Sequence, residues 1–181
     1  MKKREIMKGA FLAGILILSA ACNKDDQPSL DFDITVPAGW NYYALNSDNI
    51  VYYASSPVEN QTDSITEDLL ITKDAASGMT LDQFCSSAIS SLDDDTSYHK
   101  IYLSGDTSIN GAESRKLVYL QNLKLFRSDH QDTMYLNLKR TNYFFVRNKY
   151  GYIVTMNALV TTYPTYKPIF DNIISTFKFR N

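Results

Sequence analysis

Between residues 65 and 92 the hydrophobic period changes from two to 3.6. That change restricts the chain to a fold mixing sheet and helix. Ile65, Glu67, Leu69 and Ile71 occupy one side of an alternating run, with Thr66, Asp68, Leu70 and Thr72 on the other, as in a strand. Leu81, Phe84, Cys85, Ala88 and Leu92 then recur at helical spacing and make one apolar stripe. Thr80 stands at the N-cap position and Gln83 three residues later, a capping-box arrangement. Asp93, Asp94 and Asp95 are repelled by the negative end of a helix, so the helix is expected to stop near Leu92.

The rest of the chain reads mainly as strand. Phe32, Ile34 and Val36 alternate with Asp33 and Thr35, and Pro37-Ala38-Gly39 ends the run. Residues 50–55 form a second candidate, rich in β-branched and aromatic side chains. Further strands are expected near 99–109, 112–123, 133–147 and 150–160, with a turn at 148–151. Along the last of these, Tyr152, Val154, Met156, Ala158 and Val160 share a face. A second helical stripe follows, made of Tyr166, Ile169, Phe170, Ile173, Ile174 and Phe177. Proline is tolerated in a first helical turn, so Pro168 predicts a start near Thr165. Five to seven antiparallel strands with two amphipathic helices make an α+β domain, an antiparallel β-sheet flanked by helices as an α/β/α sandwich.

The N-terminus carries an address. Lys2, Lys3, Arg4 and Lys8 precede 13 uncharged residues, Gly9 to Ala21. A membrane-spanning helix needs about 20 apolar residues, so this run reads as a signal peptide covering residues 1–21. Ser19-Ala20-Ala21-Cys22 resembles the lipobox of bacterial lipoproteins, in which the cysteine is acylated. The usual Leu three places before the cysteine is Ser19 here, with Leu18 one place further back. One acyl chain binds a bilayer only weakly, with K of about 10⁴ M⁻¹, so two or more chains on Cys22 would make the attachment stable. Residues 22–30 are then an acidic tether. Lys24-Asp25-Asp26 resembles the export signal of surface-exposed lipoproteins in Bacteroidetes-type bacteria. The expected place is the outer membrane, lipid-anchored and displayed at the cell surface, with the periplasmic face as the alternative.

Residues 31–181 are long enough for one domain with a sizeable core, and no repeat interrupts them. Cleavage would remove four of the 18 basic residues and one of the 20 acidic ones, leaving 14 and 19 and a net charge of −5. An acidic body has no long-range attraction for nucleic acid.

Phe32-Asp33-Ile34-Thr35-Val36-Pro37-Ala38-Gly39-Trp40, Thr80 to Phe84, Ile109-Asn110-Gly111-Ala112-Glu113-Ser114, Gly151 to Thr155 and Phe170 to Phe177 occur in an order and spacing that resemble the PsbP-like family. That family includes DcrB-type bacterial lipoproteins. The resemblance spans about residues 31–180 and implies an antiparallel sheet flanked by helices, in a protein that assists larger assemblies. No catalytic residue is carried over with it.

Little in the sequence points to catalysis. Lipase-type, zincin, P-loop and dinucleotide-binding motifs are all absent. The two histidines, His99 and His130, lie in polar runs and read as solvated. Asp129-His130-Gln131-Asp132 reads as a polar hairpin rather than a metal site. Asp93, Asp95 and Ser97 start a calcium-loop pattern, which Tyr98 and Ser104 break at positions six and twelve. Cys85 on the apolar stripe reads as core. Trp40 follows a turn and could cap the core or face a ligand, and the family resemblance implies capping. No cofactor or metal is expected.

The expected role is a non-catalytic binding or assembly module in the envelope, anchored to the bilayer through Cys22 and engaging an envelope protein partner. The alternatives are a surface hydrolase and a small-ligand carrier. A face of the sheet or the 124–132 loop would meet the partner, with Phe126 and Arg127 as its aromatic and cationic contacts.

Overall fold

The computed structural model describes residues 30–43, 49–58, 65–93, 98–126 and 133–180. In chain order these form β1 (Phe32–Asp33), β2 (Asn41–Tyr42), β3 (Ile50–Ser55), β4 (Asp68–Ala75), α1 (Leu81–Asp93), β5 (Tyr98–Ile109), β6 (Ala112–Phe126), β7 (Thr133–Arg147), β8 (Tyr150–Leu159), α2 (Tyr163–Thr176) and β9 (Lys178–Phe179). The main sheet has seven antiparallel strands in the order β2-β3-β4-β8-β7-β6-β5, and β1 pairs with β9 in a small ribbon. The class is α+β, as the two hydrophobic periods predict.

The layering follows from side-chain alternation. Tyr143 and Phe145 of β7, with Tyr152, Val154, Met156 and Ala158 of β8, line one face. On it sit α2, through Tyr166, Phe170, Ile173 and Ile174, and the β1–β9 ribbon, through Phe32 and Phe179. Trp40 meets Phe170 edge-on at 6.4 Å and lids this core as expected. Phe144 of β7 and Leu117 and Tyr119 of β6 line the opposite face, where α1 packs through Phe84 and Cys85. Fully burying an aromatic or aliphatic side chain stabilises by about 1.5–3 kcal/mol, so both helices are held by packing rather than by propensity. α1 also carries the chain from β4 across the sheet to the far edge strand β5, which leaves β8 to slot between β4 and β7.

Local signals set the boundaries. The capping box forms as expected: Thr80 N–H donates to Gln83 Oε1 at 2.9 Å and Gln83 N–H to Thr80 Oγ1 at 3.2 Å. α1 ends at Asp93, one residue beyond the expected stop. Two tight hairpins have positive φ at both central residues, Asn110 (49°) with Gly111 (81°) and Asn148 (51°) with Lys149 (71°). That is the type I′ geometry matching the twist of antiparallel strands. Asn110 also donates through Nδ2 to the carbonyls of Ser175 and Phe177, each at 2.8 Å, satisfying carbonyls at the end of α2.

Four expectations need correction. The alternating run 32–36 is not one strand. Only Phe32 and Asp33 pair, while Ile34 and Val36 pack as irregular chain on the core. Val160 lies beyond β8 and is exposed, because the chain is already turning into α2. α2 starts at Tyr163 rather than near Thr165, with Pro164 in its first turn and Pro168 inside it. Pro168 removes one ladder hydrogen bond, and the buried stripe of Tyr166, Phe170, Ile173 and Ile174 outweighs that loss. Finally, Lys124–Phe126 belong to β6, with Phe126 opposite Thr133, so the expected 124–132 loop is shorter at its start.

Candidate functional site

On the α1 face of the sheet, beyond the apolar patch under the helix, the side chains turn polar. Register puts Asp68 of β4, Asn157 of β8 and Arg140 of β7 side by side in one row. The next row toward α1 holds Leu70, Thr155 and Asn142. Tyr53 of β3 lies opposite Leu70. Its ring is 5.5 Å from that of Tyr43, which closes the sheet edge.

These polar groups are not solvated in the ordinary way. Asn142, Asn157 and Thr155 are buried, at 6%, 8% and 8% exposure, whereas Asp68, Arg140, Tyr53 and Leu70 are half-buried and form a rim. Asn157 Nδ2 donates to Asp68 Oδ1 at 2.5 Å, which fixes the amide so that Oδ1 points away from the carboxylate. Asn157 Oδ1, Asn142 Oδ1 and Arg140 Nε have no hydrogen-bond partner. Leaving a buried polar atom unsatisfied costs about 1–3 kcal/mol. Three such atoms on adjacent strands are therefore a substantial cost held in one place.

Electrostatics follow from this burial. Desolvation pushes the Asp68 carboxyl up to about 6, against the bond from Asn157 and the Arg140 charge, with Glu67 adding to the rise. The Tyr53 hydroxyl is also raised, first by burial and then by Asp68 and Tyr43. No ion pair joins Asp68 to Arg140 among the described residues. Neighbouring strands lie about 4.7–4.9 Å apart, so two strand spacings separate the backbones carrying these opposite charges.

Two other charged clusters are structural. Glu67, on the opposite face, is buried and accepts from Ser56 Oγ at 3.3 Å and from Thr162 Oγ1 at the start of α2. Asp31 accepts from Lys73 Nζ at 2.7 Å and from the Tyr152 hydroxyl. Burial opposes the Asp31 charge, but the bonds from Lys73 and Tyr152 outweigh it and hold the pKa below its ordinary value. Lys73 Nζ also sits 4.3 Å from the centre of the Tyr150 ring.

Two open grooves flank α1. One, of about 430 Å³, is lined by Thr80, Glu113, Val146, Arg147 and Phe179 among others. The other, of about 390 Å³, is lined by Asp74, Phe84, Ser87, Ser91 and Ile153 among others. Asp68 lines neither. Among the described residues no three His, Cys, Asp or Glu side chains are grouped to hold a metal.

The site residues singled out in the sequence lie mostly elsewhere. Cys22, Lys24, Asp25, Asp26, Arg127, Asp129, His130, Asp132, Asp94, Asp95 and Ser97 are outside the described residues. Phe126 is placed at the end of β6, and His99 within β5. Cys85 is buried at 1% exposure, and burial raises its thiol pKa, as a core cysteine requires. The row of Asp68, Asn157 and Arg140 was missed, although one signal was present. The second face of β8 reads Ile153, Thr155, Asn157, polar where a face packed under a helix would be apolar. Strand alternation alone assigns such a face to solvent.

Among the described residues no helix is long and apolar enough to cross a membrane. No family model matches the chain, and no curated protein matches its sequence. Solved structures do share its architecture. A Pseudomonas aeruginosa protein of unknown function, PA94, superposes with a TM-score of 0.59 at 16% identity, over 78% of this chain and 98% of that one. LpqN of Mycobacterium tuberculosis, involved in cell envelope biogenesis, gives 0.56 at 10% identity over 83% of each chain. The PsbP of the cyanobacterium Synechocystis gives 0.54 at 12% identity, over 82% of this chain and 86% of that one. The fold is PsbP-like, as the sequence motifs imply.

Proposed function

We propose that this protein is a lipoprotein of the bacterial outer membrane, held by acyl chains on Cys22 and displayed at the cell surface. Its domain is a non-catalytic binding or assembly module for another envelope protein. The supporting observation is the way residues 30–33 are fastened. Arg180 pairs with Asp33 at 2.7 Å, its backbone N–H donates to the Asp31 carbonyl at 2.9 Å, and its guanidinium donates to the Leu30 carbonyl at 3.0 Å. With the Asp31–Lys73 pair, these contacts tie the point where a tether would enter to Arg180, just past β9, and to the main sheet. The envelope role of LpqN, on the same fold, supports this reading.

The partner-binding residues proposed are Phe126, beside the end of the β6–β7 hairpin, and Arg127. Cross-linking the anchored protein in its native membrane tests them. Phe126→Ala and Arg127→Ala should lose the cross-linked partner that the parent protein captures, with fold and membrane attachment unchanged. Full recovery with both variants would remove the hairpin from the account. Hydrolysis of a surface polymer that His130→Ala abolishes would replace the binding reading with an enzymatic one. A small-ligand carrier is the second reading, and the unsatisfied atoms of Asn142, Asn157 and Arg140 favour it.

A further inference from the structure

We propose that the row of Asp68, Asn157 and Arg140, with Asn142, binds a small zwitterion the size of a free amino acid, its ammonium on the Asp68 side and its carboxylate on Arg140. This deepens the carrier reading and is independent of the protein-partner reading, since neither Phe126 nor Arg127 belongs to the row.

The unsatisfied atoms specify the ligand. Asn157 Oδ1 and Asn142 Oδ1 are acceptors without donors, on side chains more than nine-tenths buried. A third acceptor, the Asp68 carboxylate, has a hydrogen bond to only one of its oxygens among those described, from Asn157 Nδ2. A primary ammonium brings several N–H donors and one positive charge, which suit the Asp68 carboxylate and the amide oxygens beside it. On the other side, Arg140 Nε is a donor without an acceptor. A carboxylate supplies the acceptor and the countercharge together.

Charge balance favours a zwitterion over other small molecules. Asp68 and Arg140 lie half-buried in one row without pairing, and burial of the Asp68 carboxyl outweighs both the bond from Asn157 and the more distant Arg140 charge. A divalent cation would compensate Asp68 and be repelled by Arg140. A simple anion would do the reverse. A neutral sugar could satisfy the amides and leave both charges uncompensated. A zwitterion answers both charges across a gap of two strand spacings, about 9–10 Å between the Cα atoms before the side chains reach inward. The orphaned atoms are out of contact with solvent in the unliganded protein, so the ligand enters by displacing the half-buried side chains of Tyr53 and Leu70. The Tyr43–Tyr53 pair forms an aromatic wall at that edge.

The experiment is titration calorimetry of the full-length protein with glycine, L-alanine and L-glutamate. Acetate, methylamine and glucose serve as controls. At least one amino acid should bind, and acetate and methylamine should bind at least tenfold more weakly. Asp68→Asn and Arg140→Gln should each weaken that binding tenfold or more. Thermal unfolding of the unmodified protein gives a second readout that needs no variant: the same amino acid should raise the melting temperature in proportion to the logarithm of its concentration, and acetate should not. Absence of binding by all three amino acids, with no shift in melting, would overturn the proposal and leave the orphaned atoms to water. Binding of glucose in their place, or amino-acid binding that both variants retain, would equally overturn it.

Discussion

The far edge of the Phe84 ring occupies the space above Gly151, where a Cβ would lie 2.3 Å from Cζ. The helix α1 is thereby seated on β8 at a position with no side chain. Phe84 is buried and meets Phe144 edge-on at 6.2 Å, so its ring has little freedom to retreat. Gly151→Ala should destabilise the protein by about 1–3 kcal/mol, the usual cost of overpacking. Chemical denaturation of the single variants and of the double variant with Phe84→Ala checks this. The cost of Gly151→Ala should shrink once the ring is gone. An equal cost in both backgrounds would place the strain elsewhere.

Asn110 does two things at once. It accepts the positive φ of the β5–β6 turn, and its amide bonds two carbonyls at the end of α2. Asn110→Gly keeps the turn geometry and removes only the amide. The variant should lose about 1–2 kcal/mol, of the order expected for two partly exposed hydrogen bonds. A loss near zero in thermal unfolding would show that the turn, not the tie to α2, explains the asparagine.

Asp68 predicts an unusual pH dependence. Its pKa rises on folding from the ordinary 3.8 to about 6. Between those values the folded chain holds a proton that the unfolded chain has released, so stability falls as pH rises through that window. The penalty is absent below pH 3.8 and complete above pH 6. Each unit is worth about 1.4 kcal/mol, reduced here because the rim is half-exposed. Asp68→Asn should therefore be more stable than its parent by about 1–3 kcal/mol at pH 8, with the gap closing near pH 3.5. Unfolding curves at the two pH values measure it. A variant less stable at pH 8 would show that the carboxylate is held favourably in place.

The fold was legible where one period dominated. β3, β7 and both helical stripes follow directly from the spacing of residues such as Phe84 and Phe170, while β4 runs from Asp68 to Ala75, three residues further along than the alternating run 65–72. It was illegible where pairing depends on distant chain. β9 is two residues long and exists because Phe179 and Lys178 meet Phe32 and Asp33 from the other end of the sequence. Pro168 misled because the local cost of proline was weighed without the core that pays for it. The polar row escaped for a related reason: Asn157 and Thr155 look like a solvent face until the burial of their neighbours is known.

The tether makes a separate prediction. If Lys24-Asp25-Asp26 directs the protein to the surface, replacing all three with Ala should lower protease accessibility on intact cells while total protein stays constant. Unchanged accessibility would leave the segment as a spacer only.

Anchoring through Cys22 is the claim on which the envelope role depends. Metabolic labelling with a fatty-acid probe measures it directly, by comparing the parent protein with Cys22→Ala. The account predicts a labelled parent in the membrane fraction and an unlabelled variant that is either soluble or retains its leader. Equal labelling of the two proteins would contradict it.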